Sequence, residues 1–519
     1  MTQEYNRINY HSSEIEDNSS FIHNFEVSVV MPFYKKLDEF KMVLPKNQLF
    51  FQRNGIEVII VMDEDSEENR LIKYIKQYPF INWKVIVNHN KHEWRNPSKA
   101  INVGIRNASK DFILVCSPES EFITDAIYIM RKKLEYYPAH FAIGTVSFTA
   151  IESYTDLSNS VFIEYGSIMA KKEAFYAVTG YDESLIKWGG DDDNIRVRLE
   201  MQGIKKILLP EVKLLHKEKP KELKSRNNKN IAIETLKRIK CPLVIKANSK
   251  DWGKEFNDMP YSWEYNEINE EVLYNYLKRF KNFQLSKKSL KKNFNSILLV
   301  QSYNEEKNIS LFLSRNSVYF DAIILLDDDS QDQTYSLAQN PKIVLKVKKE
   351  RKFFNDIENR NILLELVSFY NCKWICFLDV DELIDKRFCD FSFTQFKNAY
   401  NILFHTVHLW NSQKQYNVEY PYSNEGIQEH FRMFRNIGHM QILTNKKALH
   451  FPLTPYVKKI YKSKILILHY ANICPKNRLE RYKRYMKEDM ALDQKSYEHF
   501  LNNSPKLREV KEIKIENLI

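Results

Sequence analysis

The chain has 519 residues, 43% of them hydrophobic and 28% charged, which suits two or three domains with sizeable cores and excludes a disordered chain. No uninterrupted apolar run approaches the roughly 20 residues of a membrane-spanning helix, and residues 1–24 form a polar tail without an apolar signal segment, so a cytoplasmic location is expected. The net charge of +11 suits an anionic partner without choosing among nucleic acid, an anionic membrane face and a phosphorylated substrate.

In chain order, Val27–Pro32 is a β-branched run ended by proline, the pattern of a buried strand entering a loop. Glu57–Met62 is a second strand, with Asp63-Glu64-Asp65 at its end. Trp83–Val87 is a third, and Asn96-Pro97-Ser98-Lys99 opens a helix through Ile105. Asp111–Cys116 is a fourth, followed by Ser117-Pro118-Glu119-Ser120-Glu121. Strands alternating with helical patterns predict a parallel, doubly wound α/β sheet. Ligands of such sheets bind outside the carboxyl ends of the strands, where this chain places its acids.

Lys187-Trp188-Gly189-Gly190-Asp191-Asp192-Asp193 then leads into an amphipathic run, Ile195–Met201. That reads as a flexible loop feeding a short helix, with carboxylates at its positive end. A bare aspartate triplet is commonly a solvated turn. The Trp-Gly-Gly lead-in and the upstream strand-end acids favour a site.

The pattern recurs roughly 260 residues later, as an internal repeat would. Ser296–Gln301 is a strand followed by Asn304-Glu305-Glu306; Ala322–Leu326 ends in Asp327-Asp328-Asp329; Trp374–Leu378 ends in Asp379-Val380-Asp381-Glu382. A lone histidine follows an apolar run in each half, His216 and His469. The expected organisation is two α/β domains, 25–219 and 294–474, joined by a basic helical connector, 220–293. A basic helical segment, 475–519, follows. Its apolar stripe predicts packing on the second domain, with contact to anionic lipid as the sharper alternative.

The six cysteines include no CxxC pair and read as free thiols. Oxygen donors at strand ends suit Mg²⁺ or Mn²⁺, which would bridge the phosphates of a nucleoside diphosphate. A nucleotidyl or phosphoryl transferase would be expected to carry a glycine-rich phosphate loop, and with only 11 glycines the chain shows none. A nucleic-acid binder would not need paired acids facing one cleft, so nucleic acid is not an expected partner.

These motifs resemble family 2 glycosyltransferases of the GT-A fold, with Rossmann-like, mostly parallel sheets, in two tandem copies like those of bifunctional bacterial polysaccharide synthases. Trp188-Gly189-Gly190-Asp191-Asp192 resembles the WGGED motif of galactosyl- and N-acetylgalactosaminyl-type transferases. The resemblance implies Asp192 as catalytic base, Asp191 and Trp188 as acceptor contacts, and Pro32, Asp63 and Asp65 as nucleotide-sugar contacts. Glu119 and His216 would be metal ligands, although Ser117 stands where the family has the first Asp of DxD. In the second half it implies nucleotide contacts at Asn304, Asp327 and Asp329, and metal ligands at Asp379, Asp381 and His469. No WGGED equivalent appears there, leaving Glu382 and Glu429 as candidate bases. The implied activity is inverting transfer from UDP-sugar donors to a glycan or lipid-linked glycan of a capsule or lipopolysaccharide, with a peripheral contact at the inner membrane. Either both halves are active, or one is degenerate or glycan-binding.

Overall fold

The computed structural model describes residues 24–513 except 94, 151–159, 187–188, 220–241, 243, 266–269, 352–354, 391–397, 420, 423–425, 438–442, 444–452, 456–458 and 489–493. Contacts divide the chain into a unit Ile22–Ile268 and a unit from Asn269 onward.

The first unit contains strands β1 Val27–Phe33, β2 Ile56–Met62, β3 Asn82–Val87, β4 Phe112–Val115, β5 Ser120–Phe122, β6 His140–Ala150, β7 Ile163–Lys171, β8 Lys205–Glu218 and β9 Asp258–Trp263. They form one sheet in the order β5-β8-β6-β7-β4-β1-β2-β3-β9. The centre, β4-β1-β2-β3, is parallel. Every residue of β2 is buried, as a parallel strand covered on both faces requires. Val29, Val58, Val85 and Leu114 face one apolar cluster, and Val30, Ile59, Ile86 and Val115 face another. Each such side chain contributes roughly 1.5–3 kcal/mol relative to exposure.

The second unit contains β10 Asn282–Leu285, β11 Asn293–Ser302, β12 Ala322–Asp327, β13 Ile343–Lys348, β14 Asn371–Asp379, β15 Glu382–Ile384, β16 Asn401–His408, β17 Gln415–Asn417, β18 Ile427–Arg435, β19 Ile460–His469 and β20 Leu507–Glu509. Its main sheet runs β15-β19-β16-β18-β14-β11-β12-β13-β10, and β17 pairs with β20 apart from it. Through eight strands this order repeats that of the first unit, with β14-β11-β12-β13 as the parallel centre, and only the edge strand beside β13 comes from before rather than after the others in the chain. The sequence repeat is therefore a repeat of topology. Both sheets continue outward through antiparallel pairings.

The connector differs from its expected form. Of its described residues, Asp258–Trp263 pairs with β3 and Asn282–Leu285 with β13, each at a sheet edge, with the helix Glu270–Leu277 between them. Pro260 masks the first of these in the sequence, because proline removes a ladder donor and is tolerated only at an edge. Beyond the second sheet, the helix Pro475–Glu488 continues into a 3₁₀ turn and β20 rather than staying helical.

Candidate active site

β5 pairs antiparallel with β8, setting Ser120 opposite His216. Glu119, one residue earlier, accepts the Lys217 N–H at 3.0 Å through its carbonyl. Its Oε1 lies 3.5 Å from His216 Nε2, and both side chains are at least nine-tenths buried. Glu218 Oε1 stands 3.4 Å from His216 Nδ1, on the ring nitrogen that a supporting carboxylate would address. Lys36, just after β1, reaches Glu119 at 3.4 Å and the buried Glu39 at 3.7 Å. Glu121 pairs instead with Lys46 at 2.8 Å.

Asp63 follows β2, its N–H bonded to Phe33 O beyond Pro32. Its carboxylate accepts two bonds from Arg95, at 2.9 and 2.7 Å, and one from Asn88. Such a bidentate grip fixes both groups. Asp65 does not share it: its exposed carboxylate lies 3.4 Å from His89, which bonds Asp258 at 2.7 Å. Asn96, next to Arg95, donates to Asp191 at 3.4 Å. The strand-end acid and the acidic turn thus meet through two adjacent residues.

Gly189 and Gly190 both have φ near +88°, at 88° and 87°, a backbone that side chains disfavour. This sharp entry sets Asp191, Asp192 and Asp193 in the first turn of the helix Asp191–Met201, beside its positive end. Trp188 lies outside the described residues. Burial raises the Asp191 carboxyl above its usual range, against the opposing effects of the helix N–H and Asn96. Below the turn, Tyr181 is fully buried, and its Oη has no hydrogen-bond partner among the described residues. Burial and the nearby charges of Asp192 and Asp191 push its phenol well above the usual value. Arg198 ties the turn down, donating to Val178 O, Gly180 O and Asn194 Oδ1, each at 2.7 Å.

The second unit repeats the plan with different charges. Strand register matches Asp63 to Asp328 rather than Asp327, since the Asp328 N–H bonds Ser302 O at the end of β11. Asp327 is buried and accepts Ser330 N–H and Oγ–H. Asp329 is held by Lys281 at 2.8 Å. The Asn304 N–H bonds Ser330 Oγ. Glu382 stands opposite His469, and Asp381 Oδ1 lies 3.6 Å from His469 Nε2. Asp381 also lies 3.6 Å from Arg481, on the C-terminal helix. Asp379 accepts from the fully buried Arg360 and lies 3.8 Å from Arg432, and these guanidiniums outweigh burial to hold it well below the usual range. Burial, with Arg481 close by, holds the His469 imidazole well below its usual value.

Glu382, expected as a base, has no exposed surface. It accepts from Arg432 and from the Asp379 N–H. A carboxyl so enclosed braces the turn and cannot meet an acceptor hydroxyl. Glu429, partly exposed, pairs with Lys462 at 3.5 Å. Part of the C-terminal helix turns inward, with Arg478 buried over Trp410 and Tyr485 buried in the same cluster, while Lys476 and Lys483 are exposed.

Among the described residues, no group of three or more His, Cys, Asp or Glu is arranged to hold a metal ion. Two ligands nevertheless suffice where substrate phosphates and water complete the shell, and adjacent ligands on such a cation lie about 3 Å apart. Glu119 and His216 fit that requirement. Lys36 is no obstacle, since its flexible ammonium also has Glu39 as partner. The second unit does not fit it, because planar guanidiniums already engage Asp379, Asp381 and Glu382.

Sequence reading does not single out Lys36, Arg95, Arg351 and Arg360, and it picks out Arg432 only within Arg432-Met433-Phe434-Arg435 and Arg481 only within a basic helical run, neither as a partner of the strand-end acids. Asp328, which pairs with Lys349 and Arg351, is readable as the middle acid of its triplet. The arginines come from segments distant from those acids.

Residues 28–183 match the family described as glycosyl transferase family 2, and residues 149–224 match the N-terminal domain of galactosyltransferase. Human beta-1,4-galactosyltransferase 4 is 31% identical over 127 residues, which are 22% of this chain and 33% of that protein. The chain thus spans about a third of the curated relative it matches. Among solved structures, GalNAc-T7 with UDP, GalNAc and Mn²⁺ aligns over 37% of this chain and 44% of its own, at 14% identity and TM-score 0.31. A mannosyltransferase from Pyrobaculum calidifontis with GDP-Man and Mn²⁺ aligns over 37% and 56%, at 17% identity and TM-score 0.28. No helix among the described residues is long and apolar enough to cross a membrane.

Proposed function

We propose that the first unit is an inverting glycosyltransferase that uses a divalent cation to transfer a galactose-type sugar, galactose or N-acetylgalactosamine, from UDP to a hydroxyl of a growing surface glycan. The observation that carries this reading is that two glycosyltransferase matches together span the site, 28–183 taking in Asp63 and Glu119 and 149–224 taking in Asp191, Asp192 and His216.

In this reading Glu119 and His216 are the cation's protein ligands, and Glu218 orients the imidazole. A bound cation supplies charge neutralisation for the departing diphosphate. Asp63, held by Arg95, faces the nucleotide. Asp192 takes the proton from the acceptor hydroxyl as that oxygen forms its bond to the anomeric carbon and the bond to UDP breaks. One displacement inverts the anomeric centre. Asp192 needs no strongly raised pKa, because the hydroxyl acidifies only as its new bond forms. Asp191 contacts the acceptor, and Tyr181 lies behind both acids.

The repeat allows two working sites or one working site with a modified copy. The second is better supported, because Arg360, Arg432 and Arg481 compensate the acids of the second unit. The testing experiment measures UDP release from a panel of UDP-sugars with Mn²⁺, for the wild type and Glu119→Gln. The reading expects release from UDP-galactose or UDP-N-acetylgalactosamine that Glu119→Gln removes. No release from any UDP-sugar, or release insensitive to Glu119→Gln, overturns it.

A further inference from the structure

The two units share one construction at the strand end and differ in the charges around it. In the first, the Lys217 N–H bonds Glu119 O at 3.0 Å; in the second, the Tyr470 N–H bonds Asp381 O at 2.9 Å. In the first, the carboxylate and imidazole are 3.5 Å apart; in the second, 3.6 Å. By this register Ser117 corresponds to Asp379, and Glu119 to Asp381. The second unit therefore has the fuller acidic motif, yet it also has the cations to neutralise it.

Arg481 supplies the charge beside Asp381. Its Nη2 is 3.6 Å from Asp381 Oδ2. The guanidinium is not a loose surface group. Asn472 Oδ1 accepts from Nη1 at 3.3 Å, and Tyr485 Oη accepts from Nη2 at 3.2 Å. The rings of Tyr485 and Phe500 flank it, with centroids 5.7 and 6.0 Å away. Phe500 and Tyr485 belong to an aromatic cluster with Trp410, Tyr422 and Tyr497 that fastens the C-terminal segment to the second unit. Arg360 and Arg432 compensate Asp379, and Arg432 also binds Glu382. A divalent cation entering between Asp381 and His469 would meet a fixed guanidinium on the same carboxylate, and like charges held this close repel strongly at a partly buried site.

We propose that the strand-end site of the second unit holds no divalent cation, and that Arg481, from the C-terminal helix and fixed by Asn472 and Tyr485, takes the charge-balancing place beside Asp381 where the first unit has only the flexible Lys36 beside Glu119. The proposal concerns the second unit's own residues and rests on the preceding reading only for the contrast with Glu119 and His216. It gives the C-terminal segment a defined role, to supply a guanidinium beside the Asp381 carboxylate.

The test counts tight Mn²⁺ sites on the full chain, freed of metal by a chelator, from the loss of the free-ion electron paramagnetic resonance signal. The wild type is expected to hold one Mn²⁺ per chain, His216→Ala none, and Asp381→Asn still one. Arg481→Gln is expected to hold two. Two sites on the wild type, or loss of a site on Asp381→Asn, overturns the proposal without reliance on the Arg481 variant. An Arg481→Gln chain that folds and gains no site overturns the substitution of guanidinium for metal. If the wild type holds none and Arg481→Gln gains one, the metal role of the first unit fails while this inference stands.

Discussion

Glu119 Oε1 and His216 Nε2 stand 3.5 Å apart although 97 residues separate them in the chain, because the short strand β5 pairs with the end of β8. The pairing makes a carboxylate and an imidazole adjacent at the carboxyl edge of a parallel sheet, where α/β folds bind ligands. Everything proposed for the first unit depends on this contact.

The first prediction concerns the residue behind it. Glu218 Oε1 lies 3.4 Å from His216 Nδ1. Glu218→Gln should weaken Mn²⁺ binding about 10- to 100-fold, as loss of an outer-shell partner does, while His216→Ala should abolish it. Calorimetric titration of Mn²⁺ into the chain measures both. Unchanged affinity in Glu218→Gln would remove that residue from the site.

Arg198 should be a stability determinant rather than a reacting group. It is fully buried and donates to two loop carbonyls and to Asn194. Arg198→Met leaves those acceptors without their charged donor and should cost about 3 kcal/mol. Thermal unfolding followed by circular dichroism should show the loss in the transition of the first unit. The same variant should impair turnover, since Asn194, next to the Asp191–Asp193 acids, loses its guanidinium partner.

Acid sensitivity should come partly from Glu57. Burial raises its pKa, but bonds from Lys84, Ser28 Oγ and the Ser109 N–H outweigh burial and hold the carboxyl below its ordinary 4.5. The unfolded chain then binds the proton more readily than the folded one. The stabilisation is full above pH 4.5 and is lost as pH falls through the lowered folded value. Glu57→Gln should flatten the pH dependence of the unfolding midpoint below about pH 5. An unchanged acid slope would contradict this.

The parallel centres of both sheets were legible because strands buried on both faces must be almost wholly apolar, as Ile56–Met62 is apart from Glu57 and Ala322–Asp327 is apart from its last residue. The acids at their ends were legible by position. The edge strands were not: Asp258–Trp263 is exposed, irregular and contains proline. Nor did the sequence reveal what the acids face. Asp379 and Asp381 form a motif in two adjacent strand-end positions, but the guanidiniums that neutralise them come from three other elements, the helices Asp356–Val367 and Pro475–Glu488 and strand β18. Spacing along the chain carries no trace of such contacts. The Glu382 expectation failed for this reason, since burial depends on what packs around a residue and not on its neighbours in sequence.

In the proposed reaction Asp192 removes the acceptor proton in the first unit. UDP release from UDP-galactose and UDP-N-acetylgalactosamine with Mn²⁺, for the wild type and Asp192→Asn, tests that role, alongside calorimetric UDP binding by both. Turnover of Asp192→Asn is expected to fall by about 10²-fold or more while its UDP affinity stays near that of the wild type. Asp192→Asn turning over at the wild-type rate would contradict that role.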